Sequence, residues 1–206
     1  MKSQYWRLAF GLITSFVVNS ASAQRVDLEV EKILGQSFQA KGIAGLDRLV
    51  QDENQALCSD EKLRSSKAGL AKQAQLQKVA LAAIKPPSDG IYVGDWKSGE
   101  RIAQSGRGST WTDAANATNG GSCYNCHQID KKEISHGNIG PPLIAYGKTR
   151  GYSEEITKYT WNRINNSKAY NACSNMPRFG HFQLLTEQQI KDVLALLLDP
   201  QSPVNQ

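Results

Sequence analysis

Two cysteines and a histidine with the spacing for haem attachment stand past the middle of the chain. Residues 123–127 read Cys-Tyr-Asn-Cys-His, so that Cys123 and Cys126 are three positions apart and His127 follows directly. Each thiol can form a thioether bond to a vinyl group of haem, and the adjacent imidazole can ligate the iron. The run therefore predicts one covalently bound haem c with His127 as its proximal ligand.

Two other uses of paired cysteines fit the sequence less well. A structural zinc site needs four ligands, and the chain has no second Cys-x-x-Cys or His-x-His pair. A thioredoxin-like redox pair follows a strand, whereas residues 118–122, Thr-Asn-Gly-Gly-Ser, are typical of a loop. We therefore favour haem attachment over both alternatives.

The start of the chain has the features of a secretory signal peptide. Lys2 and Arg7 form a positive n-region, residues 8–18 form an apolar stretch, and Ala21-Ser22-Ala23 is typical of a cleavage site. The apolar stretch is shorter than the roughly 20 residues that span a bilayer. We expect a mature protein that begins at Gln24, is soluble in the periplasm and does not insert into the membrane. An uncleaved anchor is the alternative.

The charge balance argues against one class of partner. The formal net charge of +5 falls to +3 when Lys2 and Arg7 leave with the signal. A mildly basic chain without a dense stripe of Lys and Arg between aromatic residues does not have the pattern of a nucleic-acid-binding protein. We expect no nucleic-acid partner.

The second axial ligand of the iron is predicted by elimination. Met and His are the usual donors opposite a proximal His. Met1 leaves with the signal, so Met176 is the one methionine of the mature chain, 49 residues after His127. Its neighbours Asn and Pro indicate a loop from which the soft thioether can reach the iron. His136 and His181 are the alternative donors, and a lone Met is ordinarily core filler. We expect ligation by Met176.

A proline-rich segment follows the haem motif closely. A metal-bound imidazole needs a hydrogen bond at its other ring nitrogen, which sets its tautomer and its basicity. Residues 140–143 read Gly-Pro-Pro-Leu, and the carbonyl of Pro141 is a candidate acceptor for His127. A plain turn is the alternative interpretation.

The remaining cysteines, Cys58 and Cys173, form an even pair outside the haem motif. A disulfide is the usual fate of such a pair in an oxidising compartment, and it would tie the N-terminal part of the chain to the loop of Met176. The alternative is a reactive Cys173 near the haem edge that handles sulfur.

Composition divides the chain into three parts. Paired prolines in Lys85-Pro86-Pro87 disfavour helix there. We expect a signal peptide at 1–23, a mainly helical extension at 24–87 that is a possible partner-binding element, and a haem domain at 88–206 with a short tail from Gln201. Helices are predicted within 28–34, 42–49, 67–84, 95–104 and 153–164 and from Thr186, which with Gln189 completes a capping box, to Asp199. For 67–84 we expect a thin apolar face of Leu70, Ala74, Leu81 and Ile84, with Leu76, Val79 and Ala83 beside them.

These residues together resemble the SoxX family, the monohaem cytochrome subunits of SoxAX complexes in sulfur-oxidising bacteria. The resemblance rests on Gly121–His127 and Gly140–Leu143, on Cys173–Gly180 with its Met-Pro-Arg-Phe-Gly run, and on Leu185–Asn205 with its Leu-Leu-Asp-Pro run. The Cys-x-x-Cys-His run is general to c-type cytochromes, whereas the other runs are more particular. The extension at 24–87 carries no part of the resemblance.

The resemblance implies an all-α, class I cytochrome c fold, with His127 and Met176 on the iron. It also implies a SoxA subunit, of dihaem or monohaem type, as partner. The complex has L-cysteine S-thiosulfotransferase activity: it joins thiosulfate oxidatively to a cysteine of the SoxYZ carrier. This chain would pass the electrons to a downstream cytochrome and would have no catalytic site of its own.

Two other functions stay open from the sequence. A freestanding periplasmic electron shuttle would need the haem domain but not the extension. A haem sensor or peroxidase-like enzyme would need Met176 to leave the iron, so that the reduced protein would bind carbon monoxide.

Overall fold

The computed structural model describes residues 28–206, and the regular structure of this part is helical. The predicted signal peptide at 1–23 lies outside the described residues. Within 28–206 there is no β-strand beyond an isolated bridge between Lys41 and Ala44, which confirms the all-α class. Among residues 28–206, every helix is either too short or too polar to span a bilayer. The helices are α1 (Leu28–Ser37), α2 (Glu53–Ser59), α3 (Glu61–Ser65), α4 (Lys67–Ala83), α5 (Trp96–Gln104), α6 (Tyr146–Arg150), α7 (Glu154–Asn165) and α8 (Glu187–Leu198), with short 3-10 turns between them.

Side-chain caps explain where three of the four helices of the C-terminal part, α5, α7 and α8, begin. Asp95 accepts hydrogen bonds from two backbone N–H groups at the start of α5, and Ser153 accepts one at the start of α7. Thr186 and Gln189 form a reciprocal capping box on α8. Such caps satisfy N–H groups that have no partner within the helix. All three starts confirm the predictions from the sequence.

Helix α8 is the centre of the core. One apolar cluster, with Trp161 and Ile164 of α7, packs against Ile190 and Leu194, and a second cluster packs against Leu196. Helix α5 crosses α8 closely at Gly99, where a Cβ atom would lie 2.0 Å from the carbonyl oxygen of Asp192. The absence of a side chain at Gly99 therefore permits this crossing.

The segment between α4 and α5 is packed against the C-terminal helices. The indole N–H of Trp161 donates to the carbonyl of Lys85 at 2.9 Å, and the ring of Tyr92 meets that indole edge-on at 5.5 Å. Asp89 pairs with Lys191 of α8 at 2.7 Å. Residues 85–92, which follow α4, are therefore held against α7 and α8 by direct contacts.

The buried face of α4 differs in part from the predicted one, in which Leu76 lay beside the main apolar residues. Gly69, Leu76 and Ala80 are buried, whereas Leu70 is 57% exposed and Leu81 is 41% exposed. A Cβ at position 69 would lie 1.9 Å from the carbonyl of Leu63 on α3. In an Ala-rich helix, small residues that permit close backbone approach decide the packing face more than the positions of the leucines do.

The prediction of a tail after Gln201 also needs correction. Residues Pro203–Asn205 form a 3-10 turn, and Ser202 and Asn205 are fully buried. The amide of Asn205 donates to the carbonyls of Leu197 and Asp199. These carbonyls belong to the end of α8, where backbone carbonyls have no N–H partner within the helix. The final residues of the chain therefore satisfy the helix terminus.

Three short helices, α2, α3 and α6, were missed from the sequence because each has at most seven residues and little apolar periodicity. Asp52 begins α2 with a capping box, and Asp60 caps α3.

Cys58 near the end of α2 forms a disulfide with Cys173, with the Cα atoms 5.4 Å apart. The sulfur of Cys173 is therefore engaged in the disulfide in this structure and is not a free reactive thiol.

Candidate haem site

A mainly apolar cavity of about 610 Å³ lies among α5, α7, α8 and the loops around residues 121–143 and 171–179. Ligand pockets in proteins usually measure roughly 300–1,000 Å³. Ile164 of α7 and Leu196 and Leu197 of α8 are among the buried residues of its wall. The core helices thus form a mainly apolar chamber that can enclose a flat apolar ligand.

The haem motif forms one wall of this cavity. Cys123–Asn125 is a 3-10 turn, and the N–H of His127 donates to the carbonyl of Cys123 at 2.9 Å. This tight turn brings both thiols and the imidazole to the cavity, and neither Cys123 nor Cys126 is in a disulfide. The local backbone therefore presents the two attachment groups and one iron donor together.

The tautomer of His127 follows from its hydrogen bond. Its Nδ1 atom lies 2.8 Å from the carbonyl oxygen of Pro141. Because a carbonyl oxygen can only accept, Nδ1 carries the proton and Nε2 keeps its lone pair. The lone pair of Nε2 is therefore free to bind iron, and Pro141 orients the ring as such acceptors do in metal sites.

The loop that supplies Pro141 is fastened to the motif along its length. The backbone N–H groups of Gly137 and Gly140 each donate at 2.8 Å, to the carbonyls of Tyr124 and Cys126 respectively. At Gly140 a Cβ atom would lie only 2.2 Å from Cε1 and 2.5 Å from Nδ1 of His127. The imidazole therefore rests directly on the backbone of this loop.

Met176 lines the same cavity and is half-buried. The hydroxyl of Ser167 donates to the Met176 carbonyl at 2.6 Å, which holds the backbone of this residue. His127 and Met176 are the histidine and the methionine of the cavity wall, whereas the alternative donors His136 and His181 lie outside it, both exposed. Within residues 28–206 this arrangement favours Met176 as the second iron ligand.

The chemistry of the thiols disfavours the two other uses of the cysteine pair. Burial raises the pKa of the Cys123 thiol to about 12, so this thiol stays protonated at neutral pH. Thioredoxin-like pairs need the opposite, a thiol with a lowered pKa. In addition, residues 28–206 contain no cluster of His, Cys, Asp and Glu suited to hold a metal ion such as zinc.

Two arginines at the cavity were not singled out from the sequence. Arg150 and Arg163 line the cavity, and the guanidinium of Arg163 donates to the Ser167 carbonyl at 3.1 Å. Guanidinium groups pair well with carboxylates, so these residues could face the propionates of a haem. Their positions depend on how α6 and α7 pack, which no local sequence pattern reveals.

A half-buried carboxylate lies behind the haem motif. The hydroxyl of Tyr124 donates to Glu100 of α5 at 2.9 Å. Burial raises the pKa of Glu100 and outweighs this hydrogen bond, and the negative charges of Asp130 and Glu133 raise it further. Burial and the Glu100 carboxylate likewise raise the pKa of Tyr124. Glu100 is thus a carboxylate that can titrate close to the haem motif.

The residues present fit a covalently held haem. The cavity brings together two free thiols, an imidazole with its Nε2 available, and a thioether, inside mainly apolar walls. These are the groups that attach haem c and ligate its iron.

Comparisons with known proteins agree with this assignment. Residues 105–199 match the model of the family "Cytochrome c". The chain is also 41% identical over 133 residues to an uncharacterized lipoprotein of Aquifex aeolicus (strain VF5). That match covers 64% of this chain and 63% of the relative, so the chain spans less than two thirds of the relative's length. The matched family segment contains the haem motif, Pro141 and Met176.

Proposed function

We propose that this chain, whose residues 105–199 form a cytochrome c domain of the class I fold, is a periplasmic monohaem electron carrier and a subunit of a SoxAX-like complex. The match of residues 105–199 to the cytochrome c family supports a haem electron-transfer function for this domain. The observation that supports this most is that Cys123, Cys126, His127 and Met176 line one cavity. Support for the complex comes from the sequence resemblance around the Met176 segment and the end of α8.

The thiols and the two iron donors have different roles in holding a redox centre. When bound, the haem supplies a one-electron couple. Cys123 and Cys126 would hold it covalently, and His127 and Met176 would occupy both axial positions of the iron. A thioether opposite an imidazole raises the reduction potential relative to two imidazoles. Buried walls exclude water, so these residues favour electron transfer over binding of a substrate at the metal.

The reaction of the complex explains why such a subunit is needed. Joining thiosulfate to a carrier thiol forms one S–S bond and releases two electrons and one proton. A one-electron carrier would remove these electrons singly and pass them to a downstream cytochrome. We assign no bond-making step to this chain, and we place thiosulfate chemistry on a SoxA-type partner and the SoxYZ carrier.

We place the protein outside the cytoplasm, exported by the predicted signal at 1–23. The relative's description as a lipoprotein agrees with export. Covalent haem and the Cys58–Cys173 disulfide both suit an oxidising compartment.

Glu100 should make the reduction potential depend on pH. As pH rises above the ordinary value of 4.5 and through the raised pKa of Glu100, its carboxylate ionises and stabilises the ferric state, so the wild-type potential falls. In Glu100→Gln we expect a potential higher by on the order of tens of millivolts at neutral pH, with the difference lost at low pH. Spectroelectrochemical titration at several pH values measures the pH dependence of the wild-type potential and its difference from the potential of Glu100→Gln.

The control for Glu100→Gln is Glu154→Gln, which removes an exposed carboxylate from α7 that is not part of the cavity. We expect its potential to match that of the wild type at every pH. Equal potentials of Glu100→Gln and wild type across the pH range would contradict a role for Glu100 in tuning the site.

Co-purification tests the subunit assignment. The tagged chain is recovered from the periplasm of cells grown on thiosulfate, and retained proteins are identified by mass. We expect a stoichiometric second c-type cytochrome, and we expect the pair to be reduced by thiosulfate only when the carrier protein is present. Recovery as a lone, redox-active monomer would instead support the freestanding electron shuttle.

A further inference from the structure

We propose that α2 is a clamp on the segment Cys173–Arg178, and that Asp52 and Arg178 are positioning residues for Met176. This inference rests on the proposed ligation of the iron by Met176. It assigns the extension a part in the haem site beyond the disulfide to the Met176 loop that the sequence predicted, whereas the sequence otherwise suggested a partner-binding element.

Helix α2 contacts the Met176 segment at two points. Cys58, near the end of α2, is bonded to Cys173, which lies three residues before Met176. Asp52, the N-cap of α2, forms an ion pair with Arg178, two residues after Met176. The two ends of one short helix thus hold the two ends of the segment that carries the ligand.

The ion pair is largely removed from solvent on the arginine side. Arg178 is only 6% exposed, and its guanidinium lies 4.3 Å from the centre of the Phe182 ring. Removing one partner from such a pair leaves a buried charge without compensation, which is costly. Asp52 therefore determines whether Arg178, and the backbone that carries it, can stay in this position.

A second buried cation increases the importance of Asp52. Lys168 is 7% exposed, and burial together with the charge of Arg178 lowers its pKa. Burial raises the pKa of Asp52, but bonds from the Gln55 N–H and the Arg178 guanidinium outweigh it, so its pKa is lowered. Asp52 is thus an anion next to two buried cations, and its loss would leave the repulsion between Arg178 and Lys168 uncompensated.

The cytochrome domain also holds the backbone of Met176. The Ser167 hydroxyl donates to the Met176 carbonyl at 2.6 Å, and within the segment itself the Met176 N–H donates to the hydroxyl of Ser174 at 3.2 Å. The segment around Met176 is therefore attached both to α2, through Cys173 and Arg178, and to Ser167. With haem bound, a fixed backbone would keep the Met176 thioether within reach of the iron, so the fraction of molecules with Met176 detached would be small.

That population can be measured with an added iron ligand. An exogenous ligand binds only where Met176 is detached, so its apparent affinity is proportional to the detached fraction. A clamp that suppresses detachment therefore lowers the affinity for added ligands. Loosening the clamp raises this affinity in the same proportion.

Asp52→Asn separates the ion pair from the helix cap, because Asn caps helices about as well as Asp. In the ferric protein we expect cyanide to bind about tenfold more tightly than in the wild type, for a tenfold larger detached fraction. We also expect a weaker charge-transfer band of the methionine–iron bond, with haem still attached. Cyanide titration and absorption spectra of the holoprotein measure both.

The matched control is Glu53→Gln, the next residue of α2, which removes an ion pair with Lys72 of α4 and does not touch the Met176 segment. We expect wild-type cyanide affinity and spectrum. As a second variant, Arg178→Lys keeps the charge but not the fork of the guanidinium, and we expect an effect in the direction of Asp52→Asn.

The outcomes separate this inference from the proposed ligation. If Met176→Ala alters the spectrum while Asp52→Asn and Arg178→Lys both match the wild type, Met176 remains the ligand and the clamp is overturned. If Met176→Ala leaves the spectrum unchanged, the ligation and the clamp both fail. Tighter cyanide binding by Asp52→Asn but not by Glu53→Gln supports the clamp.

Discussion

Met176→Ala is expected to lower the reduction potential by on the order of 100 mV, within the roughly 0.8 V range that axial ligands control. The variant loses the soft thioether that favours the ferrous state and leaves one axial position open. Haem stays attached, because Cys123 and Cys126 are unchanged. Potentiometric titration measures the shift, and carbon monoxide added to the reduced protein reports the open position.

The wild type is the reference for the carbon monoxide test, and we expect its reduced spectrum to stay unchanged because we propose that His127 and Met176 both ligate the iron. Met176→His is the matched variant: it should lower the potential while keeping the iron closed, since imidazole replaces the thioether. A Met176→Ala protein with the potential and spectrum of the wild type would remove Met176 from the iron. Carbon monoxide binding by the wild type would favour a sensor or peroxidase-like function.

Gly140→Ala is expected to disrupt the proximal side of the site. The new Cβ would lie 2.2–2.7 Å from three atoms of the His127 ring, closer than non-bonded atoms approach. The ring and the loop must separate, which breaks the 2.8 Å hydrogen bond between His127 and Pro141. We expect a loss of at least tenfold in the yield of holoprotein, in line with the 10–100-fold effect of losing such supporting contacts.

The yield of holoprotein is measured as haem absorbance per polypeptide after purification. Gly35→Ala is the control, because Gly35 lies in α1 and, among the described residues, no atom beyond its chain neighbours and the backbone of its own helix is within 4 Å of a Cβ built there. It should give wild-type yield and absorbance. Normal yield and an unchanged potential for Gly140→Ala would show that the ring does not depend on this contact.

Features with a local cause were predictable from the sequence. The starts of α5, α7 and α8 follow from single capping residues, so Asp95, Ser153 and Thr186 marked them correctly. The haem motif and the loop position of Met176 are likewise properties of short segments. The chemistry of the candidate site could therefore be proposed before its geometry.

Features that depend on packing between distant segments were not predictable. The buried face of α4 is set by Gly69 and Ala80, whose effect depends on the neighbouring segments that α4 packs against. In the sequence, nothing distinguishes Asn205 from a tail residue. Its hydrogen bond to the end of α8 depends on the fold, which brings the two together. The pairing of Asp52 with Arg178 joins residues 126 positions apart, and no periodicity relates them.

Intact mass of the purified chain, produced with the machinery for haem c maturation, tests the central assignment most directly. We expect the mass of a polypeptide that begins at Gln24 plus one haem, retained after extraction with acidified organic solvent. Cys123→Ala combined with Cys126→Ala should give the polypeptide mass alone. A wild-type chain of polypeptide mass, or one that loses its haem on extraction, would contradict a covalent monohaem cytochrome.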